Sequence, residues 1–463
     1  MHRVSALILL FMATPTLAAA PATPAWNAAA VNSEATGVLK DLIRLDSRDP
    51  PGNESVVANY LAAIFRREGI AYELLEPVPG RASIVARLKG DGSKRPLLLM
   101  GHEDVVPVDA ARWSVEPFAA IERDGSIYGR GASDDKASVA ANLEVFLELK
   151  RQKVRLARDV IFLAEASEEA SSPAGMEVLV ERYWDRIACE FALNEGGTPK
   201  VVDGEVIYMA VGTAEKMPRG VQLVATGSSG HGSVPRLDNA VTHLAAAVAA
   251  AGNWEPPARL NDTTREFFRR LASVAPAGER AWYADVLAPA NQAELRRHQP
   301  VYYSMLRTSV VPTMLAAGLK SNVIPPTAAA TLDIRALPGE DLPAFYAELA
   351  RVINDPQVKL VPADLQYQMP ASQPSSLTTE MFAALEYAQR TVVPRAQTLP
   401  TMGTGATDSS FLRTKGVQAY GISVPKTDAE TASVHGNDEH VEVAQFELFL
   451  RYLWTAVTRV AGR

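Results

Sequence analysis

Residues 96–104 have the sequence Pro96-Leu97-Leu98-Leu99-Met100-Gly101-His102-Glu103-Asp104, in which a short apolar run ends abruptly in polar side chains. A continuous apolar run of this length is typical of a strand that is buried on both faces of a sheet. Similar runs occur at 159–164 and 191–193, and segments with helical periodicity lie between them. This alternation predicts an α/β fold with an open sheet, in which binding sites form beyond the carboxyl ends of the strands.

The length of 463 residues exceeds that of one ordinary domain, for which ~100–200 residues are typical. We expect a larger domain in two parts, residues 33–211 and 371–463, which flank an inserted smaller α/β domain at 212–370. The insert contains a helical segment at 254–306 that could line an apolar pocket or simply pack as an appendage. Packing is the favoured interpretation of its aromatic residues, Phe267, Phe268, Trp282 and Tyr283.

The composition excludes some classes of function. A formal net charge of -7 argues against a nucleic-acid-binding surface. Cys189 is the only cysteine, so the chain cannot form an internal disulfide, and the sequence gives no support for thiolate catalysis.

The N-terminus has the pattern of a secretory signal peptide. A positive charge at Arg3 precedes an apolar run at 4–12, and small residues follow at 18–20. We expect a signal peptide at 1–20, a Pro/Ala-rich linker at 21–32, and export to the periplasm or the medium. The apolar run is too short to span a bilayer, and no later segment is long and apolar enough to be a membrane helix. A retained N-terminal anchor is the lesser alternative.

Acidic and histidine side chains follow each predicted buried strand. His102 and Asp104 come after the first, Glu168 and Glu169 after the second, and Glu195 after the third. The stretch Tyr128-Gly129-Arg130-Gly131-Ala132-Ser133-Asp134-Asp135-Lys136 adds paired acids ahead of a predicted helix at 136–150. Each acid alone could be a helix cap or a solvated loop residue.

Together, the acids favour a metal site. Burying several carboxylates in one cleft costs several kcal/mol for each unless cations are bound. Carboxylate and imidazole ligands without a thiolate suit zinc, manganese or cobalt, and two such ions bridged by a carboxylate form a common hydrolytic site.

The chain resembles the di-zinc exopeptidases and amidohydrolases, the family of glutamate carboxypeptidase, aminoacylase and succinyl-diaminopimelate desuccinylase. The motifs at 101–108, 113–118 and 128–136 look most like the branch of carboxypeptidase S and the N-acyl-amino-acid hydrolases. The resemblance covers nearly all of the chain after the linker. It implies a zinc-peptidase-like catalytic domain with helices on both sides of a mixed sheet, and an inserted ferredoxin-like lid domain.

The resemblance also implies roles for the site residues. His102 and Glu195 would bind one zinc, Glu169 and His435 the other, and Asp134 would bridge both, with Co²⁺ or Mn²⁺ as possible substitutes. The residues themselves do not decide between Asp134 and Asp135; the family motif selects Asp134 and implies a strained, cis peptide between them. Glu168 matches the general base, and Asp104 matches the residue that steadies His102.

Other matches fall in the inserted domain and in a late loop. His231 resembles the lid histidine that steadies the oxyanion, after lid closure or from the partner subunit of a homodimer formed through the lid. Asn322, Arg335 and Gly405 resemble residues that hold the free carboxylate of the substrate. Arginine suits this task because guanidinium binds carboxylate in a bidentate manner.

The implied reaction is hydrolysis of the amide bond of a dipeptide or an N-acyl amino acid, by a zinc-bridging water that Glu168 activates. A related di-zinc aminopeptidase and an inactive zinc-dependent binding protein are the alternatives. A serine hydrolase is disfavoured because no Gly-x-Ser-x-Gly elbow follows a predicted strand.

Overall fold

The computed structural model describes residues 25–170, 173–363 and 369–463. The predicted signal peptide at 1–20 lies outside these residues, as does the start of the predicted linker. The α-helices, in chain order, are α1 (Ala28–Arg44), α2 (Ser55–Arg67), α3 (Lys136–Arg151), α4 (Met176–Arg182), α5 (Trp184–Ile187), α6 (Ala240–Asn253), α7 (Asp262–Val274), α8 (Arg280–Ala284), α9 (Pro289–His298), α10 (Pro300–Ser304), α11 (Leu342–Ile353), α12 (Glu380–Val392), α13 (Ser409–Thr414), α14 (Asp428–Ser433) and α15 (Val443–Ala461).

The strands follow the same order along the chain. They are β1 (Tyr72–Val78), β2 (Arg81–Leu88), β3 (Leu97–His102), β4 (Ile121–Arg123), β5 (Ser126–Tyr128), β6 (Val160–Glu165), β7 (Phe191–Asn194), β8 (Lys200–Val202), β9 (Glu205–Glu215), β10 (Met217–Pro218), β11 (Val221–Thr226), β12 (Gly230–His231), β13 (Ser309–Ala317), β14 (Val323–Ile324), β15 (Thr327–Ala336), β16 (Val358–Pro362), β17 (Gln397–Gly403), β18 (Gln418–Gly421) and β19 (His440–Glu442).

The large sheet has the strand order β1-β2-β6-β3-β7-β18-β9-β17, and β8 pairs with β9. It is mixed, because β3 runs parallel to β6 and β7 whereas β2 runs antiparallel to β6. Side chains of β3 alternate between two cores. Leu97 and Leu99 pack with α1, α2 and α3, and Leu98 and Met100 pack with α4 and α13. The predicted mixed sheet with helices on both sides is therefore confirmed.

A smaller antiparallel sheet is formed between residues 217 and 362, with the order β10-β15-β11-β16 and with β13 also paired to β15. Helices α6 and α11 cover one of its faces, where Leu244 and Leu349 pack against Leu223 and Leu332. This sheet and its two helices form the smaller α/β unit that the sequence predicts in addition to the large sheet.

The helical segment α7–α10 packs against the large sheet. Its aromatic side chains Phe267, Phe268 and Tyr283 are buried in one cluster with Tyr208 of β9 and Leu399 of β17. These residues therefore form a core, as the packing interpretation predicts. Within the described ranges, no helix combines the length and the apolar character needed to cross a membrane.

Candidate metal centre

The carboxyl ends of three adjacent strands place the predicted acids at one edge of the large sheet. His102 ends β3 and lies opposite Glu165, the last residue of the parallel strand β6. Glu168 and Glu169 follow β6, and Glu195 comes directly after β7. Parallel strands end at a common edge, so residues far apart in sequence meet there.

The loop between β5 and α3 delivers Asp134 to the same edge. Gly131 has a positive φ of 83°, and a Cβ atom there would lie 2.7 Å from Val105 Cγ1, so a larger residue would not fit. The Asp134–Asp135 peptide is cis. Asp135 is buried behind the loop, where a Cβ on Gly101 would lie 2.7 Å from its Oδ2 atom.

The two acids therefore face different ways, and Asp134 is the one that meets the histidines. Asp135 holds the N-cap position of α3, but its side chain makes no capping hydrogen bond. The simpler interpretation of this pair as helix caps is thus not supported by the contacts.

Asp134 lies between two histidines that come from opposite ends of the chain. Its Oδ1 atom is 3.0 Å from His102 Nε2, and its Oδ2 atom is 3.0 Å from His435 Nε2. His435 Nε2 also lies 2.8 Å from Glu169 Oε1. Two groups result, each with ligand atoms within 4.8 Å of one another, and they share Asp134: His102, Asp134 and Glu195, and Asp134, Glu169 and His435.

Burial controls the electrostatics of these groups. It raises the pKa of Glu195 well above the ordinary range, and burial together with the neighbouring Glu195 raises the pKa of Glu168. Burial would also raise the pKa of Asp134, but hydrogen bonds with His102 and His435 lower it instead. Hydrogen bonds with Asp134 and Glu169 raise the pKa of His435 to about 10. Without a bound cation, burial therefore favours the protonated, neutral forms of Glu168 and Glu195. A divalent ion would favour their charged forms, which are the forms that bind metals.

The donor set fits divalent metal ions. Carboxylate oxygens and imidazole nitrogens without a thiolate suit zinc, cobalt or manganese. His102 also has an outer partner of the kind that orients metal-binding imidazoles, because its Nδ1 donates to the carbonyl oxygen of Asp104, 2.9 Å away.

The side chain of Asp104 approaches His102, as the resemblance implies, and it also holds the loop after β6. Its Oδ1 atom lies 3.6 Å from His102 Nδ1, whereas its two oxygens accept the backbone N–H groups of Glu168 at 3.1 Å and Glu169 at 2.9 Å. Asp104 thus holds the backbone of the Glu168–Glu169 pair, while its carbonyl oxygen holds the imidazole.

The remaining predicted residues lie elsewhere. His231 is exposed on β12, where its Nδ1 accepts the N–H of Ser233 at 3.1 Å, and among the residues that the structure describes it joins none of the groups that could hold a metal. Asn322 lies beside it, because its carbonyl oxygen accepts the N–H of Gly232. Arg335 lies on β15 with Nε 2.9 Å from Asp333, and Gly405 is exposed between β17 and α13.

Two further clusters have no counterpart in the sequence analysis. Arg81 binds the buried acids Asp49 and Glu54, and Glu439 is buried against the loop that carries Asp134. Glu439 lies shortly after His435 in the sequence, and this proximity is the sequence signal that could have pointed to it.

Residues 98–459 match the model of peptidase family M20/M25/M40. The chain belongs to this family. Membership of this peptidase family makes the chain an enzyme of the hydrolase class. The residues of the two metal-capable groups all lie within the matched range.

Relatives within the M20 family agree with the resemblance drawn from the motifs. The chain is 29% identical over 381 residues to the human N-fatty-acyl-amino acid synthase/hydrolase PM20D1, covering 79% of this chain and 74% of the relative. It is 29% identical over 384 residues to the probable carboxypeptidase S-like 2 of Dictyostelium discoideum, covering 80% of this chain and 73% of the relative. The predicted membership and its branch are thus confirmed.

A solved M20 structure has the same fold. The metallo-carboxypeptidase Sso-CP2 from Sulfolobus solfataricus matches with a TM-score of 0.70 at 18% identity, covering 92% of this chain and 99% of that chain.

Proposed function

We propose that this chain hydrolyses the amide bond of a dipeptide or an N-acyl amino acid that has a free carboxylate, with two zinc ions as its cofactors. The observation that carries the proposal is the pair of ligand groups that share Asp134. The names of the relatives, an N-fatty-acyl-amino acid synthase/hydrolase and a probable carboxypeptidase S-like protein, support this class of substrate.

Five side chains would hold the metals. His102 and Glu195 lie on one side of Asp134, and Glu169 and His435 lie on the other. Divalent ions bound there would polarise the scissile carbonyl and lower the pKa of water towards ~7, which makes hydrolysis possible at neutral pH.

Glu168 is proposed as the proton carrier. Its N–H is held by Asp104, and its side chain belongs to a third group with His102 and Glu169. From this position its carboxylate takes a proton from the attacking water and returns it to the amine that leaves. General acid-base catalysis of this kind contributes about 10²–10⁴-fold to the rate.

Arg335 is proposed to bind the substrate carboxylate, together with Asn322 and the backbone near Gly405. Its described contacts with Asp333 use the Nε atom, so the terminal nitrogens can form a bidentate pair with a ligand. His231 is proposed to steady the oxyanion. Because His231 is exposed and apart from the metal-capable groups, this role requires closure of the small domain or a second copy of the chain.

A substrate series tests the proposal. Zinc-loaded protein is offered an N-acyl amino acid, the same compound with its carboxylate amidated, and a peptide amide with a free amine. We expect turnover of the first alone. Turnover of the free-amine compound with a blocked carboxylate would instead indicate an aminopeptidase, and zinc binding without turnover of any compound would indicate a binding protein.

A further inference from the structure

A fully buried acid, Glu439, lies behind the loop that carries Asp134. Its Oε1 atom accepts the backbone N–H groups of Ser133 at 2.8 Å and Asp134 at 3.1 Å. Its Oε2 atom accepts the N–H of Gly131 at 3.1 Å and Nη1 of Arg130 at 2.6 Å. The carboxylate thus receives four donors, which fills the acceptor capacity of its two oxygens.

The same residue joins the two loops that supply Asp134 and His435. The carbonyl oxygen of Glu439 accepts the N–H of Gly129 at 2.9 Å, and Nη2 of Arg130 donates to the carbonyl oxygen of Gly436 at 2.7 Å. Next to this contact, β19 pairs with β5. The segment that begins at His435 is therefore fastened to the Asp134 loop through both the backbone and the side chain of Glu439.

Charge and geometry explain why a carboxylate is needed at this position. Arg130 neutralises the buried negative charge, and the side chains of the pair are only 3% and 1% exposed. A glutamine of the same shape would have to point an N–H₂ group at one pair of donors, which leaves buried donors unpaired. The three backbone N–H groups that Glu439 accepts belong to the loop itself, so the carboxylate fixes the path of the chain into Asp134.

We propose that Glu439 is a positioning residue for the metal centre, which holds the backbone of Asp134 in place before a metal binds. The proposal rests on the proposed function, because Asp134 is the shared ligand. Outer partners of metal ligands typically contribute about 10–100-fold to metal affinity.

The test compares two buried Glu–Arg pairs in the same fold. Glu439→Gln is matched with Glu215→Gln, because Glu215 also accepts a backbone N–H, from Thr407, and pairs with a buried arginine, Arg413, at 2.9 Å. Zn²⁺ affinity is measured by competition with a chelator, and stability is measured in parallel by urea unfolding. We expect Glu439→Gln to weaken Zn²⁺ binding by about 10–100-fold and Glu215→Gln to leave it within about twofold of the wild type.

Cobalt substitution gives a readout that a merely structural role would not change. The visible absorption of the Co²⁺-loaded protein reports ligand geometry, and we expect it to change in Glu439→Gln but not in Glu215→Gln. Equal losses of affinity in the two variants, or a wild-type affinity and spectrum in Glu439→Gln, would overturn the positioning role.

A second measurement needs no variant and covers the case in which Glu439→Gln does not fold. Hydrogen exchange of the metal-free wild type should show slow exchange at the amides of Ser133 and Asp134, because Glu439 already accepts both. Fast exchange that becomes slow only after Zn²⁺ is added would contradict a preformed loop. A wild type that binds no divalent ion would contradict the proposed function itself, whatever the exchange rates.

Discussion

Asp49, Glu54 and Asp104 form a group of buried acids whose ligand atoms lie within 4.8 Å, as do those of Asp134, Glu169 and His435. The first group contains its own cation. Arg81 places Nη2 2.5 Å from Glu54 and also binds Asp49, and the side chain of Arg81 is only 10% exposed. In the second group, histidines contact the acids instead: His435 lies 3.0 Å from Asp134 and 2.8 Å from Glu169, and His102 lies 3.0 Å from Asp134.

The difference shows that a cluster of buried acids is not in itself a metal site. Buried carboxylates need a compensating positive charge, and a guanidinium or a metal ion can supply it. Where the chain provides arginine, the acids form a structural ion pair. Where it provides imidazole and leaves acids such as Glu195 with raised pKa values, a metal ion is the cation that fits.

The largest effect is expected from the shared ligand. Asp134→Asn removes the carboxylate that both ligand groups use, so we expect loss of both ions and of turnover. Asp135→Asn is the control, because that side chain faces Gly101, and it should keep its metal content. Elemental analysis of the purified variants measures both. If Asp134→Asn retained two ions, Asp134 would not be the shared ligand. The contrast between the acids that Arg81 neutralises and the acids around Asp134 would then fail.

Glu168→Gln should separate chemistry from metal binding. We expect both ions to remain and kcat to fall by about 10²–10⁴-fold, because the amide cannot take up the proton. KM should change little by comparison. Steady-state kinetics on the metal-loaded variant gives the result, and a near-normal kcat would show that another group carries the proton.

Arg81→Met tests the group that holds its own cation. Removing one partner of a buried pair leaves uncompensated charge, and we expect a loss of about 3–5 kcal/mol in the free energy of unfolding. Arg87→Met, on the same strand, is the control. Arg87 is partly exposed and 3.1 Å from Asp159, so its loss should cost about 1 kcal/mol or less. Similar unfolding free energies for the two variants would contradict the importance of burial.

The smallest effect is expected where acid and arginine meet at the surface. Hydrogen bonds from Arg269 and then Arg270 lower the pKa of Glu266 from 4.5 to about 2. A lowered carboxyl pKa stabilises the fold above pH 4.5, and this contribution disappears as the pH falls towards 2. Glu266→Gln should therefore cost about 0.3–1 kcal/mol at neutral pH.

That cost should shrink as the pH falls below 4.5, the ordinary value for the group. Urea unfolding of both proteins over a pH series measures the trend. A difference that stays constant with pH would show that the ion pair does not cause it.

Some of this arrangement could be predicted from local pattern. The apolar runs of β3, β6 and β7 end next to His102, Glu168 and Glu195, and the rule for parallel strands places their ends at one edge. The fold class followed from the same runs.

Other features depend on contacts that no local pattern contains. The local pattern predicts no strand at β9, which contains Ala210 and Gly212 and pairs in parallel with β17 far along the chain. The choice of Asp134 over Asp135, and the place of His435, came from the resemblance alone, because both depend on how loops fold. The pairing of Arg81 with the buried acids Asp49 and Glu54 is visible only in the structure.

The most direct test is a titration of metal-free wild-type protein with Zn²⁺, in which bound metal and hydrolysis of an N-acyl amino acid are followed together. The two ligand groups predict two ions per chain, with hydrolysis appearing as the sites fill. A chain that hydrolyses the substrate without metal, or that fills with Zn²⁺ and gains no hydrolysis, would contradict the account.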